Sequence, residues 1–289
     1  MIDQASNLRK MVDNGFAKDN ICKNIKIYSV LSGKGGVGKT NLSVNLGIKL
    51  NQKGKKVLLI DADVGMTNAN IILGIPVRNN LFDLIRGDKT INEVITKSPY
   101  GIDLLSGGSD LLEMEKLDKE KQKWVLDNLL EFGNYDILII DNGAGMTKQS
   151  IAFSLLSDEI ILITTPEPTA LTDAYRVIKV ISNNSIKDKV KVIINQIDNR
   201  STGDDTFNKL LMTVNSFLNI DIENIGYVYS DLRVNKAIME QHPFVIKYPN
   251  SLASESIEMI CSKLIDDNLH KNNISTVKEL KNKIYRIFG

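Results

Sequence analysis

Apolar runs of four to seven residues alternate with longer stretches of helical periodicity along this chain. The runs fall at 25–31, 57–60, 102–105, 137–140, 160–164, 190–194 and 222–228. Most are continuously apolar rather than alternating, which predicts central strands of a parallel sheet covered by helices on both faces. Helical spacing predicts helices at about 38–53, 118–132, 147–156, 168–183, 204–219, 231–240 and 250–268. The succession predicts an α/β fold with a doubly wound, mostly parallel sheet. No internal repeat or low-complexity linker interrupts it. Residues 25–268 are expected to form the core domain, with separate segments at 1–24 and 270–289.

The strongest chemical signal lies between the first run and the first helix, where residues 32–40 read S-G-K-G-G-V-G-K-T. Strand, glycine-rich loop and helix are the context a G-x-x-x-x-G-K-[ST] phosphate loop requires, which makes this a P-loop NTPase. Glycines let backbone N–H groups converge on phosphate oxygens, and the helix N-terminus adds partial positive charge. Gly33, Gly35, Gly36, Val37 and Gly38 supply the loop. Lys39 would reach the β- and γ-phosphates, and the Thr40 hydroxyl would bind Mg²⁺. Lys34 is a second lysine at a position the general loop leaves free; it is either a solvated loop charge or a further phosphate ligand.

K-G-G-x-G-K-T resembles the deviant Walker A motif of the MinD/ParA class of ATPases. The resemblance implies that two subunits sandwich two ATP molecules and that Lys34 acts on the partner's nucleotide. Asp61-Ala62-Asp63, continuing to Asn68, looks like the family's switch I, D-x-D-x-G-x-x-N. By that likeness Asp63 is catalytic and orients the attacking water, while Asp61 supports Mg²⁺ through water. Residues 137–141, I-L-I-I-D, read as a Walker B strand with Asp141 near the metal shell. Asn142, Gly143, Ala144 and Gly145 follow as switch II. Asn195 stands where the family uses an asparagine on the adenine edge, and Asp231 lies in a loop that lines the base. The resemblance covers roughly residues 25–268 and implies a MinD-like member of the SIMIBI class.

Composition narrows the field. The 289 residues carry 36 Lys and Arg against 35 Asp and Glu, a net charge of +1, which argues against a generic basic nucleic-acid binder. An apolar share of 43% supports a real core. No apolar run approaches the ~20 residues of a membrane-spanning helix, and the N-terminus does not read as a secretory signal. The two cysteines, Cys22 and Cys261, form no paired motif, and His242 and His270 are too scattered for a metal site.

Val277, Leu280, Ile284, Ile287 and Phe288 recur on one helical face, with Lys278, Lys281, Lys283 and Arg286 mostly off it. Four basic residues against Glu279 leave +3 in residues 276–289, so the rest of the chain carries −2. A basic amphipathic segment is a membrane-surface pattern, although packing on the core is the alternative. The segment resembles the membrane-targeting helix of MinD-type proteins. At the other end, Asp3, Gln4, Ala5, Leu8 and Arg9 spell D-Q-A-x-x-L-R, and Ala5, Leu8, Val12 and Phe16 form an apolar stripe. This wording resembles the activating motif of the flagellar members of the family, called FlhG, FleN or YlxH, which implies stimulation of the SRP-type GTPase FlhF.

The expectation is therefore a slow ATPase switch, an ATP-dependent homodimer that controls flagellar number and placement. It is expected in the cytoplasm and reversibly at the cytoplasmic face of the inner membrane. ATP and Mg²⁺ are the expected cofactors; flagellar C-ring switch proteins and a flagellar transcription activator are further expected partners, and direct nucleic-acid binding is not expected. The alternatives are a division-site MinD ATPase, a ParA-type partitioning ATPase, or a binding module in which ATP only selects the competent form.

Overall fold

A computed structural model describes residues 24–63, 68–107, 134–270 and 275–276. The expected helix at 118–132, residues 64–67 of the expected switch I, Cys22 and nearly all of both terminal segments lie outside these residues.

The described chain runs β1 (Asn24–Leu31), α1 (Lys39–Gln52), β2 (Val57–Ala62), α2 (Ala69–Ile72), α3 (Leu81–Arg86), α4 (Ile91–Val94), β3 (Ile95–Lys97), β4 (Asp103–Ser106) and β5 (Ile137–Asn142). It continues through α5 (Lys148–Leu156), β6 (Glu159–Thr164), α6 (Pro168–Asn183), β7 (Lys189–Ile197), α7 (Arg200–Phe217), β8 (Asp221–Tyr229), α8 (Leu232–Met239), α9 (Phe244–Lys247), α10 (Leu252–His270) and β9 (Ser275–Thr276). The sheet order is β3-β4-β2-β5-β1-β6-β7-β8, parallel except where β3 meets β4 and where β9 meets β1. Each predicted apolar run forms a strand, and the sheet is doubly wound about the central β1.

Alternation along the strands sorts the core. Tyr28 and Val30 of β1 turn to the face covered by α1 and α10, with Leu59, Ile139, Ile161 and Ile193. Ile25 and Ile27 turn to the opposite face under α3, α4 and α5, and Leu31 joins the cluster beneath α6 and α7 on that same side. All these side chains are below 3% exposure, which explains why the runs are solidly apolar.

The element boundaries depart from expectation where capping decides them. α7 begins at Arg200 rather than 204, because Asn199 Oδ1 accepts the Thr202 N–H and caps the helix earlier. α3 is held by a reciprocal Asn80–Asp83 capping box. The one-turn helices and the edge strand β3 are too short for periodicity to mark. α10 runs two residues past the expected domain end at 268. Ser275 and Thr276, expected in the terminal segment, pair antiparallel with Ile25 and Asn24, so the first and last described strands lie side by side.

A row of charges crosses the α1/α10 face near the N-terminal ends of the strands. Lys26 Nζ lies 3.0 Å from Glu159, Lys191 bridges Glu159 at 3.4 Å and Glu223 at 3.9 Å, and Lys263 of α10 reaches Glu223 at 3.5 Å. Lys26 and Lys191 are each only 3% exposed, so charge alternation is what makes their burial tolerable.

Candidate functional site

β1 delivers the chain to the loop at residues 32–38, and α1 begins at Lys39 with Gly38 as its N-cap. Gly38 sits at φ +87°, in the left-handed region, and a Cβ there would lie 2.5 Å from Asn195 Nδ2. Glycine is needed on both counts. Gly33 is required by closeness instead: a Cβ would collide with the backbone carbonyl of Asp173 in α6. Asn195, at the end of β7, donates to Val37 O at 2.8 Å and so braces the loop from below.

The neighbouring strand ends bring the carboxylates in. β2 and β5 run parallel with Asp61 opposite Asp141, and both are fully buried. Lys39 Nζ donates to Asp141 Oδ1 at 2.9 Å. Ser43, one turn further along α1, donates to the same oxygen at 3.0 Å. Asp141 Oδ2 is buried and finds no hydrogen-bond partner. Asp61 accepts three backbone N–H groups, from Asp63 at 3.2 Å, Asn68 at 3.0 Å and Ala69 at 3.1 Å. Burial pushes the Asp61 carboxyl up to about 6, with the Asp141 charge adding to the rise; the N–H groups of Ala69 and Asp63 and the Lys39 ammonium oppose it.

Asp63 lies against switch II, where a Cβ on Gly143 would approach its Oδ1 to 3.0 Å. The Gly145 N–H donates to Ser32 O at 2.8 Å, and Gln149 Nε2 donates to Ala62 O at 2.7 Å. These two bonds tie Gly145 and α5 to Ser32 and to β2. Asn142, expected to open switch II, is the last residue of β5. Its buried amide bonds to Ser29 Oγ and Val30 O, both at 3.0 Å, so its side chain fastens strands together.

Lys34 and Lys39 take different partners. It meets Glu167 at 2.6 Å and Thr169 at 2.8 Å, at the start of α6. The hydrogen bond from Lys34 holds the Glu167 carboxyl below its ordinary range. Both partners are substantially exposed, so the pair is a weak tether.

A cavity of about 310 Å³ opens beside the loop, lined by Gly36, Asn41, Asn195, Asp231, Asn235 and Phe244 among others. Asp231 caps α8 through the Arg233 N–H at 2.9 Å, and its bonds to the Arg233 side chain hold its carboxyl below the ordinary range. Ser43, Asn41, Asn235, Gln149, Glu167 and Thr169 are site residues that motif reading passed over. Only Ser43 carried a sequence signal, one helical turn past Lys39.

The donor set suits a triphosphate with Mg²⁺. Backbone N–H groups at a helix N-terminus meet anions, and Mg²⁺ is commonly held by one or two carboxylates plus phosphate and water oxygens. Asp141 offers a buried oxygen without a partner, and half-buried Thr40 stands in the first turn of α1. Asp61, with its oxygens engaged by N–H groups, suits contact through water. Elsewhere, Cys261 is buried, and burial pushes its thiol well up, leaving it unreactive. Asp3, Gln4, Ala5, Leu8 and Arg9, and Val277, Leu280, Ile284, Ile287 and Phe288, lie outside the described residues.

An AAA-domain family profile matches residues 25–196. The chain is similar to antiactivator FleN of Pseudomonas aeruginosa, with 30% identity over 241 residues, covering 83% of this chain and 86% of that protein. It is similar to the flagellum site-determining protein YlxH of Helicobacter pylori, with 32% identity over 250 residues, covering 84% and 82%. Among solved structures, the MinC:MinD cell division protein complex of Aquifex aeolicus has a chain that superposes with a TM-score of 0.66 at 27% identity, covering 83% of this chain and 96% of that one.

Proposed function

The chain belongs to the MinD/ParA-type deviant Walker A ATPases, close to the flagellar regulators FleN and YlxH, and from that membership we propose that it is a flagellar switch. It binds and hydrolyses ATP as a P-loop ATPase. In the proposed cycle, ATP pairs two copies, the dimer visits the cytoplasmic face of the inner membrane through residues 277–289, and hydrolysis returns it to the monomer. Its N-terminal D-Q-A-x-x-L-R segment stimulates FlhF, and its output is flagellar number and placement. C-ring switch proteins and a transcription activator are further proposed partners.

The observation that carries this reading is Lys34. A lysine inside a phosphate loop is held 2.6 Å from Glu167 on an exposed rim, instead of joining Lys39 at its own phosphate site. A tether so weak is readily exchanged for the phosphates of a partner subunit. Lys39 leaves Asp141 to contact the terminal phosphates. Asp63, beside Gly143, orients the attacking water. Thr40 and Asp141 would hold Mg²⁺, with Asp61 contacting it through water, and the ion would neutralise charge at the phosphate oxygens.

Asp63→Ala tests the cycle directly. With ATP it should elute as a dimer and co-sediment with anionic liposomes, persisting where the wild-type signal decays. A variant that stays monomeric, or that turns over ATP at the wild-type rate, would remove Asp63 from its role. Adding the protein, or a peptide of residues 1–24, to FlhF and measuring GTP turnover separates the flagellar reading from a division-site one; no stimulation favours the latter.

A further inference from the structure

The first two turns of α1 carry a buried amide pair that motif reading passed over. Asn45 has no exposure at all, and Asn41 is 9% exposed. Asn45 Nδ2 donates to Asn41 O at 2.7 Å and to Asn41 Oδ1 at 3.1 Å. Asn45 Oδ1 accepts the backbone N–H of Val245 at 3.1 Å, 200 residues away in α9. A carbonyl on one side and an N–H on the other leave the Asn45 amide one orientation, since its oxygen cannot donate and its nitrogen cannot accept.

That orientation is passed on. Asn45 presents a donor, so Asn41 must answer with Oδ1, and its Nδ2 is turned the other way. Asn41 also lines the 310 Å³ cavity beside the phosphate loop, two residues past Lys39. Phe244, the residue before Val245, lines the same cavity. One buried side chain therefore sets the orientation of an amide that lines the cavity and also bonds to α9.

We propose that Asn45 is a positioning residue of the nucleotide site, holding Asn41 with its N–H₂ aimed at a phosphate oxygen of the bound nucleotide. This rests on the ATPase reading of the same site. A helix interior disfavours asparagine, and a buried amide is costly unless fully bonded. Apolar residues at both positions would serve packing alone. The pair instead spends its hydrogen bonds on orientation at the cavity wall.

The test is a double-mutant cycle on the full chain, titrated with Mg-ATP, with thermal midpoints measured alongside. Asn41→Ala removes the donor and should weaken ATP binding about tenfold, as expected for a hydrogen bond to a charged group. Asn45→Ser spares the fold: a serine can donate to the carbonyl four residues back, as Ser256 does to Leu252 O at 2.7 Å in α10. It cannot span to both Asn41 Oδ1 and the Val245 N–H. It should weaken ATP binding about threefold to fivefold. The double variant should match Asn41→Ala alone, because Asn45 acts on phosphate only through Asn41. Losses that multiply, or wild-type affinity in Asn45→Ser beside an impaired Asn41→Ala, overturn the inference while the ATPase reading stands. A wild-type chain that bound no ATP would overturn both.

Discussion

Gly33 and Gly35 stand two residues apart in one loop and answer to different forces. A Cβ on Gly33 runs into α6 backbone, which cannot swing aside, whereas one on Gly35 meets nothing within 4 Å. Gly33→Ala is therefore expected to cost about 2 kcal/mol or more, a fall of roughly 5 °C in Tm. Gly35→Ala should leave the ligand-free Tm within about 1 °C. Differential scanning calorimetry of both variants checks this contrast. Asp61 invites a pH test. Its folded-state value, about 6, exceeds the ordinary 3.8, so protonation stabilises the fold. That contribution is full below about pH 3.8 and is lost as pH rises through about 6. The unfolding free energy of the wild type minus that of Asp61→Asn should thus fall by on the order of 2 kcal/mol between pH 4 and pH 7. A flat difference in denaturant titrations would mean the three N–H donors already satisfy the anion.

At the scale of elements, the sheet is held from its two ends by different means. At the C-terminal ends, short polar bonds join loop, strand and switch. At the N-terminal ends the charge row Lys26–Glu159–Lys191–Glu223 lies across four strands beneath α10. Glu159 is its pivot, shared by two buried lysines. Glu159→Ala should destabilise the protein by about 3 kcal/mol, since it strips a shared carboxylate from buried cations. Lys263→Met, at the 42% exposed end of the row, should cost under about 1 kcal/mol. Urea unfolding of the two variants distinguishes a structural row from decorative charge.

For the whole molecule, the β9–β1 pairing has a consequence for the proposed switch. Thr276 opposite Asn24 brings the two ends of the described chain together at the start of β1, whereas the phosphate loop follows its end. Eight residues of β1, roughly 25 Å, separate the two. Deleting residues 277–289 should accordingly abolish ATP-dependent sedimentation with anionic liposomes while leaving Mg-ATP affinity within about twofold of wild type, because lipid affinity comes from the basic amphipathic segment. A matching loss of ATP affinity would contradict the separation.

Local sequence determined a good deal by itself. Continuous apolar runs announced buried parallel strands, because a strand covered on both faces has no polar side to show. The phosphate loop was legible because its glycines, Lys39 and Thr40 are contiguous and do their work through backbone. The charge split, −2 in the body and +3 in the last fourteen residues, is likewise a property of sequence alone. Tertiary structure decided what depends on residues far apart in the chain. It bonded the Asn142 amide to β1, gave Lys34 to Glu167 and extended α7 back to its Asn199 cap. It also joined Asn45 to Val245 across 200 residues. Hydrogen bonds and buried charges take their meaning from partners, and only folding selects the partners.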